Sequence, residues 1–136
     1  MGKRSTGRKL AMQILYQADV RDTSVDQILE CFWEMHHFEP DTVAWATDLS
    51  TRTWSYRDDI DQLIQKYAIG WELNRMNPID KAVLRLSFYE LIHDGEDPGI
   101  VINEAIEICK KYASDESPRF VNGILGQYIK QCSLES

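Results

Sequence analysis

The chain has 136 residues, 43% of them hydrophobic, and a formal net charge of −7, which fits one ordered domain and excludes a disordered or fibrous protein. No stretch approaches the roughly 20 apolar residues of a membrane span, and no cleavage pattern follows the basic N-terminus, so we expect a cytoplasmic protein. Cys31, Cys109 and Cys132 are widely separated and predict reduced, mostly buried thiols rather than a disulfide framework or a zinc site.

Helical periodicity runs through the first half of the chain. Apolar residues recur at i, i+3, i+4 and i+7 in segments 11–18 and 25–32, and Ser24 is a preferred N-cap for the second of these. A longer helical segment follows, with Asp41 as its expected cap and a bend near residues 55–57. These patterns predict helices throughout the first half.

The second half has clearer helix boundaries. Asn77 followed by Pro78 predicts a helix start, and apolar residues on more than one face of the following helix indicate a central position in the fold. Residues 93–98 have the composition of a turn, and Ser117 with Pro118 repeats the cap-then-proline pattern. Because no useful stretch alternates with a period of two, we predict an all-α chain of about seven helices.

Few side chains are arranged for catalysis or metal binding. Asp58, Asp59 and Asp61 precede an apolar helical stripe and are interpreted as a solvated helix start rather than a magnesium site. The histidines lack Cys or Glu at ligand spacing, and no P-loop or G-x-S-x-G motif is present. We therefore expect no catalytic residue, no metal and no cofactor.

Charge is distributed unevenly along the chain. The first ten residues contain four basic residues and no acid, whereas residues 19–61 contain eleven acids. Because the net charge repels phosphate, any contact with nucleic acid must be local, and four basic contacts to single-stranded RNA predict a salt slope of roughly −3. Arg119 and Phe120 follow the last cap-then-proline start, and Phe120 either stacks on an unpaired base or packs in the core.

Four segments of the chain resemble the NusB family. They are R-x-x-A-x-x-x-L-Y at 8–16, IDKAVLRLSFYEL at 79–91, VINEAIEICKKY at 101–112 and RFVNGIL at 119–125. The resemblance implies an all-α fold of two small, packed helical bundles in one domain, 1–136, with subdomains of about 1–70 and 71–136. It also implies a transcription antitermination factor that binds boxA-type single-stranded RNA together with the small-subunit ribosomal protein NusE, and so supports RNA polymerase on ribosomal RNA and similar operons.

The resemblance also implies site residues. RNA contacts are expected from the first helix and the start of the last one, at Arg4, Arg8, Lys9, Tyr16, Glu116, Arg119 and Phe120. The NusE surface is expected at Asn74, Asp80 and Lys81, where Asp80 replaces a glutamate that is frequent in the family.

Two alternatives to RNA binding remain open at this point. The same helical module occurs in ribosomal RNA cytosine methyltransferases, but no methyl-donor loop or paired catalytic cysteines follow it here, so we expect no enzyme. The other alternative is a homodimer that covers the RNA surface.

Overall fold

The computed structural model describes residues 2–135 and contains seven α-helices and one short 3-10 helix. In chain order these are α1 Gly2–Val20, α2 Val25–Phe32, α3 Pro40–Ser55, α4 Arg57–Tyr67, the 3-10 helix Leu73–Arg75, α5 Pro78–Ile92, α6 Pro98–Tyr112 and α7 Ser117–Glu135. No strand occurs in residues 2–135, so the prediction of an all-α chain of about seven helices is confirmed. The expected domain range, 1–136, includes Met1 and Ser136, which lie outside the described residues.

Most helix boundaries follow the local sequence signals. The Ser24 side chain caps α2, and the Asn77 side chain accepts the Ile79 backbone N–H at 2.8 Å at the start of α5, both as predicted. Asp97 caps α6 in the same way, directly before a proline, within a segment that the sequence had indicated only as a turn. Tyr56 separates α3 from α4 and forms the predicted bend.

One predicted cap is wrong. Glu39, rather than Asp41, is the N-cap residue of α3, and its side chain makes no capping hydrogen bond. Pro40 occupies the first helical position, where its fixed φ and missing N–H are tolerated, and this moves the start of the helix one residue ahead of Asp41.

Helix α1 packs alongside α3 in the parallel direction. Lys3 pairs with Asp41, and one turn later Gly7 lies against the ring of Trp45. A Cβ atom at Gly7 would overlap Cε3 of the Trp45 ring, so the ring or the helix would have to shift. Gly7 therefore sets how closely the two helices approach.

Helix α5 is central, as predicted, because it packs against α1, α3, α4, α6 and α7. It runs antiparallel to α1, since Arg8 pairs with Glu90 near the end of α5 while Asp19 pairs with Lys81 near its start. Helices α1–α3 pack together, and α4 packs against α5 and α7. The expected subdomain division near residue 70 places α4 with the first group, and that division stays a prediction.

Helix α6 runs parallel to α1 on another side. Ser5 donates a hydrogen bond to Glu104 near the middle of α6, and Gln13 donates to Tyr112, the last residue of that helix. None of the helices in residues 2–135 is long and apolar enough to cross a membrane.

The expectation of mostly buried thiols is wrong for two of the three cysteines. Only Cys109 is buried, and burial raises the pKa of its thiol to about 12. Cys31 and Cys132 are exposed because they lie on the outer faces of α2 and α7.

Candidate nucleic-acid interface

Arg8 lies at the centre of a buried ion-pair cluster. Its Nε is 2.9 Å from Oε2 of Glu90, its Nη1 is 3.1 Å from Oε1 of Glu104, and its Nη2 is 3.3 Å from Oε2 of Glu96. The Arg8 and Glu90 side chains are only 4% and 3% exposed. Burial raises the pKa of Glu90, and the hydrogen bond from Arg8 acts against that rise. The expected phosphate contact of Arg8 is therefore corrected, because this guanidinium is engaged inside the fold.

Lys3 and Arg4 also pair with carboxylates, but at the surface. Lys3 Nζ lies 3.0 Å from Oδ2 of Asp41, and Arg4 Nη1 lies 3.4 Å from Oε2 of Glu96. Arg4 also lies over the ring of Trp45, with its guanidinium carbon 5.7 Å from the ring centroid. Because exposed ion pairs of this kind are weak, a phosphate group can compete for Arg4.

The rest of α1 presents a partly accessible stripe on the side next to α6, formed by Ser5, Lys9, Gln13 and Tyr16. Within residues 2–135 no carboxylate lies at ion-pair distance from Lys9. Tyr16 is half-buried, with part of its ring packed against the core. The seven residue steps from Lys9 to Tyr16 give a rise of about 10 Å along the helix, so the stripe leads from Lys9 towards the end of α6.

A surface pocket of about 530 Å³ lies at the start of α7, and we call it the Trp71 pocket. Phe120 meets Trp71 edge to face there, with ring centroids 5.3 Å apart. Phe120 is half-buried: its ring packs against the core, as one of the two interpretations had it, and it also lines the pocket. Stacking of this ring on a base stays a prediction. The pocket is lined by Trp71, Arg75, Met76, Asn77, Asp80, Ser114, Glu116, Ser117 and Phe120.

The pocket joins residues from both expected sets. Glu116 and Phe120 were expected to contact RNA and Asp80 to contact NusE, yet all three line this one pocket. Arg119 is exposed beside it and forms no ion pair within the described part of the chain. Sequence reasoning missed Trp71, although a lone tryptophan in the polar stretch after Gly70 was a usable signal.

Asp80 is almost completely buried, with 6% of its surface exposed. Its Oδ1 atom has no hydrogen-bond partner among residues 2–135. Burial raises the pKa of the Asp80 carboxyl, and a hydrogen bond from the Ser117 hydroxyl lowers it. Of the three residues expected at the NusE surface only Asn74 is exposed, because Lys81 Nζ is held 3.0 Å from Oδ2 of Asp19.

The three acids at the start of α4 have different environments. Asp58 and Asp59 are exposed in the first turn, as the interpretation of a solvated helix start requires. Asp61 instead binds Arg85 through two contacts of 2.8 Å, and Arg85 also contacts Asp19. No group of His, Cys, Asp and Glu in residues 2–135 is arranged to hold a metal ion.

The order and packing of the helices place the chain in a class of small all-helical proteins that includes solved antitermination factors. The structure of NusB from T. maritima superposes with a TM-score of 0.83 and 34% identity, covering 93% of this chain and 90% of that one. A structure of the antitermination factors NusB and NusE in complex with dsRNA matches with a TM-score of 0.86 and 28% identity, covering 96% and 98% of the two chains.

Sequence comparison agrees with the structural match. The NusB family model matches residues 5–130. The transcription antitermination protein NusB of Myxococcus xanthus is 42% identical over 130 residues, covering 92% of this chain and 93% of the relative. The chain therefore belongs to the NusB family, and the resemblance seen in the sequence is confirmed.

Proposed function

We propose that this protein is a transcription antitermination factor that binds boxA-type single-stranded RNA together with the ribosomal protein NusE. It acts in the cytoplasm as part of a complex with RNA polymerase, by binding and not by catalysis. The partly accessible stripe of α1, with Lys9 free of carboxylate partners and Tyr16 further along, carries the proposal. Family membership and the solved relative that binds NusE and RNA support it.

The proposed RNA path runs from the start of α1 to the start of α7. The 15 residues of α6 separate these two regions by about 22 Å, a distance that several extended nucleotides span. Phosphates contact Arg4, Lys9 and Arg119 along this path, and bases stack on Tyr16 and Phe120. Phosphate contacts position an RNA, whereas stacking and base-edge contacts supply its sequence preference.

The test is a titration of fluorescently labelled RNA with the full chain, with and without purified NusE. A boxA-type strand should bind more tightly than a scrambled strand of equal length, and NusE should increase that difference. A duplex of the same sequence is included because one relative was solved with dsRNA. Equal binding of boxA-type and scrambled strands, with NusE present, contradicts the proposal. Sedimentation without RNA shows whether the chain forms a homodimer, and competition between dimer formation and RNA binding shows whether the dimer covers the same surface.

The proposed NusE surface lies around the 3-10 helix and the start of α5. Asn74 is exposed and makes the direct contact. Asp80 is buried and Lys81 is paired with Asp19, so these two residues support the surface without being fully exposed on it. A basic ribosomal protein is attracted to this acidic chain, so Asn74→Lys should weaken the complex by adding a like charge to the contact. Calorimetry compares it with Gln127→Lys, an equal charge change on exposed α7. If both variants bind NusE with equal affinity, NusE does not bind at the surface around Asn74.

A further inference from the structure

A surface groove of about 830 Å³ lies between the end of α2 and the start of α3, and we call it the α2–α3 groove. Two large apolar side chains of the connector between these helices are exposed, since Phe38 is 43% and Met35 80% exposed. Grouped apolar side chains with polar residues around them are typical of protein interaction sites. The groove is lined by Trp33, His36, His37, Phe38, Glu39, Pro40, Val43 and Ala44.

Contacts among aromatic side chains hold the connector in one shape. The His36 ring stacks on Phe32 with centroids 4.3 Å apart, and it lies nearly parallel to Phe38 at 6.3 Å. Trp33 meets Phe32 edge to face, and its indole N–H donates a hydrogen bond of 3.0 Å to the Thr47 hydroxyl of α3. The groove is therefore formed before a partner binds, which lowers the entropy cost of binding.

The surface around the groove is acidic. Residues 22–51 contain seven acids and no lysine or arginine. Lys3 and Arg52, from outside this segment, pair with two of these acids. The other five are exposed and form no ion pair among residues 2–135; they are Asp22, Asp26, Glu30, Glu34 and Glu39. Such a surface repels the phosphates of RNA and attracts lysine and arginine side chains of a protein.

The groove lies apart from the surfaces proposed for NusE and RNA. Lys3 pairs with Asp41 beside the groove. Asp19 pairs with Lys81 near the proposed NusE surface, and the 16 residue steps from Lys3 to Asp19 correspond to about 24 Å along α1. The proposed RNA path follows the side of α1 next to α6, whereas the groove lies on the side of α3. A further partner therefore has room to bind beside the other two.

We propose that the α2–α3 groove docks a basic segment of a further protein partner, with one bulky apolar side chain of that segment between Trp33 and Phe38. Lysine or arginine residues on either side of this apolar anchor face Glu39 and the neighbouring Glu34. The anchor supplies most of the affinity, because exposed ion pairs are weak and act mainly on orientation and association rate. The inference goes beyond the proposed function, since it needs neither RNA nor NusE.

The experiment titrates the isotope-labelled full chain with nine-residue peptides and follows the indole N–H signals of its four tryptophans by NMR. One peptide combines lysine with leucine, a second has serine in place of leucine, and a third has glutamate in place of lysine. The lysine–leucine peptide should bind about tenfold more tightly than either of the others. It should shift the signal of Trp33 and not that of Trp71, and its binding should weaken as salt is added.

Variants of the groove test the proposed contacts. Ala44→Arg adds a cation and a long side chain to an exposed wall of the groove and leaves the aromatic contacts intact. It should melt like the parent and bind the lysine–leucine peptide about tenfold more weakly. Gln62→Arg makes the same change of charge on the exposed surface of α4 and should keep the affinity within about twofold.

A pair of charge variants tests the acids separately from the anchor. Glu34→Gln combined with Glu39→Gln should weaken binding of the lysine–leucine peptide about fivefold at low salt. Asp58→Asn combined with Asp59→Asn removes two exposed acids from α4 and should leave the affinity near that of the parent.

Three results would overturn the inference. Equal binding of the lysine–leucine and lysine–serine peptides by the parent is one, and an Ala44→Arg variant that binds like the parent is another. A shift of the Trp71 signal without a shift of the Trp33 signal would place the peptide in the Trp71 pocket instead. Calorimetry with NusE completes the test, because a loss of NusE affinity in Ala44→Arg would assign the groove to NusE and not to a further partner. Failure of the proposed function is seen separately, in the comparison of boxA-type with scrambled RNA by the parent.

Discussion

Arg8 shows how one basic residue is used inside the fold instead of at its surface. The pair with Glu90 is almost fully buried, so each charge depends on the other for compensation. Burial raises the pKa of Glu90 in the folded chain, and Arg8 limits that rise. Replacement of Arg8 therefore couples the stability of the fold to pH.

Arg8→Met should lower the free energy of unfolding by about 3–5 kcal/mol at neutral pH, because it leaves Glu90 charged, buried and unpaired. A raised folded pKa gives stability that is complete below the unfolded value of about 4.3 and is lost as the pH rises through the folded value. Without Arg8 that folded value rises further, so the loss should be smaller at pH 5 than at pH 8. Urea denaturation at both pH values measures it, and Arg8→Met with Glu90→Gln should recover part of the loss. An equal loss at both pH values would show that Glu90 is not the cause.

Gly7→Ala should destabilise the fold although alanine is the better helix former. Its Cβ would overlap the Trp45 ring, and overpacking of this kind costs about 1–3 kcal/mol. Gly126→Ala in α7 is the matched control, because nothing lies within 4 Å of the added Cβ, and it should gain roughly 0.5–1 kcal/mol. Thermal melting gives the sign of the stability change for each variant. A stabilised Gly7→Ala variant would mean that the Trp45 ring moves aside easily.

At the scale of the helix, folding pairs most of the basic side chains of α1 with carboxylates. The N-terminal segment is basic in the sequence, but three of its cations meet four carboxylates that come from α3, α5, α6 and the turn before α6. Sequence patterns predicted the helix itself, since its periodicity is local. They could not show this neutralisation, because the partners of Arg8 lie 82 to 96 residues away along the chain.

Glu96→Gln should raise the affinity for RNA of any sequence, because a phosphate would no longer compete with Glu96 for Arg4. Arg8 also loses its ion pair with Glu96 but keeps those with Glu90 and Glu104, so urea denaturation must first show that the variant is folded. The gain should be about two- to fivefold, as expected for release of one exposed ion pair worth up to about 1 kcal/mol. Glu107→Gln is the control, since it removes the same charge and frees Lys110 elsewhere on α6. Anisotropy titrations measure the RNA affinity of both variants. Equal gains would mean that the effect comes from the change in net charge and not from Arg4.

For the whole molecule, the number of available cations limits electrostatic binding. The net charge of −7 opposes RNA overall, and of the four cations expected to contact phosphates Arg8 is held inside the fold. The proposed contacts are then those of Arg4, Lys9 and Arg119. The sequence alone predicted the helical class, the central helix and most caps, which depend on neighbouring residues. The burial of Asp80 and its place in the Trp71 pocket depend on packing between distant helices and were not predictable.

The salt dependence of binding should therefore be shallower than the sequence indicates. Three phosphate contacts at about 0.7 each give a slope of log K against log salt near −2, instead of −3. Lys9→Gln should reduce the slope by about 0.7, whereas Lys130→Gln, on the exposed surface of α7, should leave it unchanged. Titrations from low to physiological salt measure both slopes, and a parental slope of −3 would show that another cation contacts RNA.

The long separation between Arg8 and its partners has a consequence during synthesis on the ribosome. Helix α1 emerges first, but Glu104 is made 96 residues after Arg8, which takes about 5–20 s at 5–20 residues per second. For that time the basic segment has no carboxylate cluster to enter, and it emerges beside the phosphate-rich surface of ribosomal RNA. The fold around α1 therefore closes only after most of the chain has been translated, so a stalled or truncated product exposes the basic segment that the finished protein neutralises.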